Sequence, residues 1–243
     1  MKKNKNIVEY ILFYINKIIY IQKKSLNKVK FHELLSQIRL SSYNDDIVKY
    51  YDNLKLVGKI TPKIATLEII LRNKLDSKLS EQDNDWIKNS NDENIKKAKD
   101  EIEYREKNKT LSHHQYLSRM SLGTIIYLIK ENRMQDSIMN LKNINFRNYN
   151  QYNRNFFLKN GKKRNFGNIY KVDIVLSLLQ NLRNRSYHWE NILKTTEKNG
   201  KHYPRLTTKI ENVYIGINPQ KIELFLDDLI KTFDERILKY CQD

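Results

Sequence analysis

Residues 178–193 read Leu-Leu-Gln-Asn-Leu-Arg-Asn-Arg-Ser-Tyr-His-Trp-Glu-Asn-Ile-Leu, an apolar helical pattern that ends in Arg183 and, five positions later, His188. Ile174, Leu176, Leu178, Leu179 and Leu182 crowd the buried side of a helix expected over 169–188. Histidine side chains titrate near neutrality and can move a proton to or from a ribose hydroxyl. Arginine carries a permanent charge that holds a phosphate and the extra charge of its transition state. Arg183 and His188 are thus the two side-chain types that metal-free RNA cleavage requires. At 3.6 residues per turn they stand about 140° apart on a helix and do not project in parallel. Asn184 and His188 are i,i+4 and share a face, so Asn184 is expected to orient the imidazole while Arg183 reaches round from the side. One copy of the motif supplies half of an acid–base pair, so a homodimer is the economical way to complete the site. Against this, Arg-x4-His occurs by chance, and a histidine at a helix end is often a cap or a packed surface residue.

Three segments together carry a family resemblance. Arg183-Asn-Arg-Ser-Tyr-His-Trp-Glu-Asn-Ile192 resembles the Arg-Asn-Arg-x-x-His-x-Glu-x-Ile signature of bacterial abortive-infection (Abi-like, AbiD/AbiF-type) proteins, which belong to the HEPN superfamily of all-helical ribonucleases. Residues 66–75, Thr-Leu-Glu-Ile-Ile-Leu-Arg-Asn-Lys-Leu, resemble that family's Ile-Glu-x-x-Leu-Arg-Asn helix, with Leu67 where Ile is usual and Trp86 following. Met120-Ser-Leu-Gly-Thr-Ile-Ile126 resembles its Met-Ser-Phe-Gly helix, with Leu122 where Phe is usual. The likeness covers roughly 45–240. Trp189 and Asn191 depart from it, standing where many members have a second His and a Pro. The resemblance implies an all-α, HEPN-type helical bundle over 41–243, with residues 1–40 as an additional N-terminal helical segment packed on it. It implies a metal-independent endoribonuclease with Arg183 and His188 catalytic, acting in phage defence or as a toxin restrained by a protein or noncoding-RNA antidote. It also gives Glu68 and Arg72 a supporting role beside the Arg183/His188 helix. From spacing alone, Glu68 and Arg72 form an i,i+4 helix pair. Glu190 can orient His188 or Arg183, or cap a helix that begins there.

Composition points the same way. Among 243 residues, Lys plus Arg number 45 and Asp plus Glu 28, a net charge of +17. That favours a polyanionic partner, RNA ahead of a membrane surface; an AT-rich coding bias toward Lys, Asn, Ile and Tyr is the competing explanation. From Lys142 to Lys171 there are eight basic residues and no acidic one, interleaved with Phe146, Tyr149, Tyr152, Phe156, Phe157, Phe166 and Tyr170. Cations alternating with stacking rings suit single-stranded RNA. The aromatic spacing is equally that of a core stripe, so the aromatics are expected mostly in the core. Lys159, Lys162, Lys163 and Arg164 are expected exposed and facing RNA, with Arg185 beside the motif as a further contact.

Cys241 is the single cysteine, which excludes an internal disulfide and a cysteine zinc site and suits a reducing cytoplasm. His32, His113, His114, His188 and His202 show no metal-ligand spacing, so neither metal nor cofactor is expected. The N-terminal Lys2, Lys3 and Lys5 precede apolar residues, but Glu9, Asn16 and Lys17 interrupt the run, and no membrane span or signal peptide is expected.

With six glycines and three prolines, helices should dominate. They are expected near 6–23, 27–39, 44–56, 61–80 (Pro62 in its first turn), 92–107, 112–131 (interrupted at Ser121 or Gly123), 133–142, 169–188 and 219–240. A small β-hairpin is expected near 203–217. Two further readings fit the same sequence: a noncatalytic RNA-binding module that scaffolds a structured or noncoding RNA, and a helical interaction protein with no RNA role.

Overall fold

The structure is a computed structural model that describes residues 17–18, 31–107, 109, 111–198 and 200–241. The helix expected over 6–23 therefore lies almost wholly outside the described residues. The chain divides into two compact units, 1–54 and 55–243.

In the first unit, residues 31–35 are helical and α1 (Gln37–Ser41) follows. Ser36 caps α1, its hydroxyl accepting the Arg39 N–H. Leu40, Tyr43 and Tyr50 form a small core with Leu35, Ile47 and Leu54 against it; the two tyrosine rings meet edge-on at 5.5 Å.

The 33-residue α2 (Ile47–Leu79) starts here and runs into the second unit. The sequence suggested two helices with Pro62 opening the second, but Pro62 sits inside one continuous helix. An interior proline costs about 3 kcal/mol. Ile60, Ile64, Leu67, Leu71 and Leu75 are each fully buried along one face, and burying each is worth about 1.5–3 kcal/mol. The stripe outweighs the proline.

The second unit is mostly helical, with three two-stranded antiparallel sheets. Next come α3 (Trp86–Asn89), α4 (Glu93–Arg105), α5 (His113–Arg119), α6 (Leu122–Glu131) and α7 (Gln135–Ile138). The expected interruption falls at Met120, whose backbone is extended, and Ser121 then caps α6 by accepting the Thr124 N–H. Hairpin β1–β2 (Phe156–Lys159, Lys162–Asn165) turns on Asn160-Gly161, both with positive φ. α8 (Asn168–Tyr187) carries the motif. Hairpins β3–β4 (Thr195–Lys198, Lys201–Pro204) and β5–β6 (Thr207–Ile210, Val213–Gly216) follow; the second lies within the expected 203–217. The helix expected over 219–240 is α9 (Ile222–Lys231) between two 3-10 turns, broken where Asp234 turns its carboxylate onto the Arg236 N–H.

The core gathers the inner faces of α2, α6, α8 and α9. α8 is buried around most of its circumference through Val172, Val175, Leu176, Leu179 and Leu182, as expected of a central helix. Asn153 fastens the β5–β6 hairpin to this core. Its amide donates to the Phe146 and Gly216 carbonyls, both at 2.8 Å, and its oxygen accepts the Gly216 N–H at 2.9 Å. Asn153→Ala would leave these buried backbone groups unpaired, and a loss of about 3 kcal/mol is expected in urea unfolding. An unchanged midpoint would show that water replaces the amide without penalty.

Candidate active site

The C-terminal end of α8 closes in a tight turn that displays His188. The N–H of His188 donates to the Asn184 carbonyl, that of Trp189 to Ser186, and that of Glu190 to Arg185. This is the Schellman pattern, with Trp189 at φ 55° where glycine is usual. A left-handed non-glycine residue costs about 1–2 kcal/mol. The turn stops the helix immediately after His188, which is exposed and whose imidazole has no hydrogen-bond partner among the described residues.

Arg183 is held from three sides. Its Nε lies 3.5 Å from Glu68 Oε2, its Nη1 lies 3.5 Å from Asn184 Oδ1, and its guanidinium stacks 4.5 Å from the Tyr187 ring centre. The other oxygen of Glu68 is 3.3 Å from Arg72 Nη2, which also donates to the Met120 carbonyl at 3.4 Å. One carboxylate thus sits between two guanidiniums and leaves the cluster with a net positive charge. Gly123 keeps the start of α6 close to α8: a Cβ there would come within 3.0 Å of Gln180 Nε2. The 66–75, 120–126 and 183–188 segments therefore meet, with Glu68 and Arg72 beside Arg183.

Other expected residues are placed differently. Asn184 contacts Arg183, not the imidazole; the i,i+4 relation to His188 is used by the backbone alone. No helix begins at Glu190. Its carboxylate accepts from Arg185 Nη1 at 2.6 Å and from Arg205 Nη2, so it ties the end of α8 to the chain beyond β4. Arg185, expected to face RNA, is committed to that pair and is half-buried. Tyr187 and Arg205 were not anticipated. Tyr187 is i+4 from Arg183, a spacing that could have revealed it; nothing local marks Arg205.

Lys159, Lys162, Lys163 and Arg164 are all exposed on β1–β2 and have no carboxylate partner among the described residues. Lys163 lies 4.4 Å from the Phe156 ring centre. Phe146, Tyr149, Phe157 and Phe166 are buried, whereas Tyr152 is exposed. Lys171 belongs to the interior: its ammonium donates to the Lys142 and Ile144 carbonyls, and burial lowers its pKa. Among the described residues no group of three or more His, Cys, Asp or Glu could hold a metal ion, and no helix is long and apolar enough to cross a membrane.

No family model, curated protein or solved structure matches the chain.

Proposed function

We propose that this chain is a HEPN-type, metal-independent endoribonuclease, built as a homodimer and acting in phage defence or as a toxin in the cytoplasm, where a protein or noncoding-RNA antidote restrains it. The observation that carries the reading is the contact of Glu68 with Arg183, with Arg72 joining Glu68 to the Met120 carbonyl, on the helix whose end displays an exposed His188. Three segments singled out separately in the sequence supply those groups. Their meeting fixes the Arg183 cation, and His188, five residues on, supplies an exposed imidazole; phosphodiester transfer needs both kinds of group.

In the proposed reaction His188 of one copy takes the proton from the ribose 2′-hydroxyl. The 2′-oxygen attacks phosphorus, the bond to the 5′-oxygen breaks, and His188 of the second copy protonates that leaving oxygen. The two Arg183 side chains stabilise the phosphorane-like charge. The products are a 2′,3′-cyclic phosphate and a 5′-hydroxyl.

Purified protein incubated with mixed RNAs in EDTA is expected to cut them; RNA binding with no cleavage would favour the noncatalytic scaffold. The shared site has its own test. An excess of His188→Ala chains mixed with wild type should depress activity beyond simple dilution, because each mixed dimer lacks one histidine. Subunit exchange is confirmed first with differently tagged chains. A fall merely proportional to the wild-type fraction, despite exchange, would mean that each chain carries a complete site.

A further inference from the structure

An open groove of about 1210 Å³ lies between β1–β2 and the start of α8. Lys142, Lys159 and Arg164 line it, together with Asp136, Asp173 and Tyr170. The register accounts for the cations of the hairpin. Lys159 pairs with Lys162 and Phe157 with Arg164, so Lys159, Lys162 and Arg164 share the groove face, while Lys163, expected from the sequence to face RNA with them, falls on the opposite face with Leu158 and is left out of the proposed contact. The carboxylates are already engaged: Asp136 accepts from Asn168 at 2.8 Å, and Asp173 from Gln135 at 3.2 Å with Lys130 3.9 Å away. The exposed cations suit phosphates, and the Asn165 amide and Tyr170 ring on the same lining suit a ribose 2′-hydroxyl and a base face.

One helix, α8, leads from the groove to the motif. Asp173, Ser177, Gln180 and Asn184 recur at i, i+4, i+7 and i+11, which places them on a single face of α8, half-buried to exposed throughout. α6 borders this face, with Lys130 3.4 Å from Ser177 Oγ and Gly123 close to Gln180, so the polar track is the edge between the two helices; Asn184 at its far end touches Arg183. From Asn168 to His188 the helix rise amounts to about 30 Å.

We propose, building on the nuclease reading above, that this groove is an anchor for single-stranded RNA, and that the strand runs from it along the polar face of α8 to Arg183 and His188. The protein then selects RNA by length. A strand stacked at about 3.4 Å per nucleotide needs about nine nucleotides to span about 30 Å, and a more extended one needs fewer.

The test uses uridine homopolymers of 4, 8, 12, 16 and 24 nucleotides, scored for binding and for cleavage in EDTA. Arg164→Glu and Lys163→Glu are compared because they change charge equally on opposite faces of one exposed hairpin; circular dichroism confirms that both fold. Affinity is expected to rise with length and level off once the strand spans groove and motif. Arg164→Glu should remove that gain and lower the salt slope of 16-mer binding by about one, whereas Lys163→Glu should leave both near wild type. The deoxyuridine 16-mer should bind more weakly than its RNA counterpart. Length-independent affinity, identical behaviour of the two variants, or equal binding of DNA would overturn the anchor while leaving the nuclease reading intact. Length-dependent binding sensitive to Arg164→Glu, with no cleavage of any RNA, would support the anchor and sink the nuclease.

Discussion

His188→Ala should lower RNA cleavage by about 10²–10⁴-fold, the range for loss of a general acid–base group. His188 is exposed at the end of α8, and its imidazole has no hydrogen-bond partner among the described residues, so thermal stability should hardly change. Arg183→Ala should be comparably damaging to cleavage. Arg183→Lys should not rescue it, because the stacked, forked contacts with Tyr187, Glu68 and Asn184 use guanidinium geometry that an ammonium lacks. Initial rates on a labelled RNA, with circular dichroism as the folding control, measure both. Full activity in folded His188→Ala protein would remove the histidine from the mechanism.

Glu68→Ala should produce the second large effect, this time through another residue. It strips the shared carboxylate from Arg72 and Arg183, and the two freed cations then repel each other. Breaking a fully buried pair costs about 3–5 kcal/mol. These side chains keep 13–28% of their exposure, so about 1–2 kcal/mol of stability is expected after solvent screening. Activity should fall further than stability implies, because a displacement of about 1 Å at a reacting group can cost about 10²-fold. Glu68→Gln, which keeps shape and one acceptor, should recover part of the rate. A lowered melting temperature with unchanged turnover would make Glu68 purely structural.

Helix content and most helix positions were legible because apolar residues recur at helical spacing, and the Arg183–His188 pair could be singled out by residue type; spacing made Glu68 and Arg72 only an i,i+4 pair, and their place beside Arg183 was an expectation of the family resemblance. The fusion of two expected helices through Pro62 was not. Local proline chemistry argues for a break, and only the buried stripe from Ile60 to Leu75 reverses it. The β1–β2 hairpin was missed although Asn160-Gly161 marks it, because the aromatic spacing around Phe156 imitates a helical stripe; Asn-Gly is a strong hairpin signal on physical grounds. The roles of Glu190 and Asn184 depended on partners that short-range spacing does not reveal. Arg205 comes from beyond a hairpin, and Arg183 draws Asn184 away from the imidazole.

The most direct test of the account is the chemistry of the product ends. Wild-type protein is incubated with a defined RNA in excess EDTA, and the fragments are weighed by mass spectrometry. Fragments ending in a 2′,3′-cyclic phosphate paired with fragments beginning in a 5′-hydroxyl are expected, and no such fragments from His188→Ala. Fragments carrying a 5′-phosphate and a 3′-hydroxyl, or cleavage that disappears with the chelator, would contradict the proposed reaction.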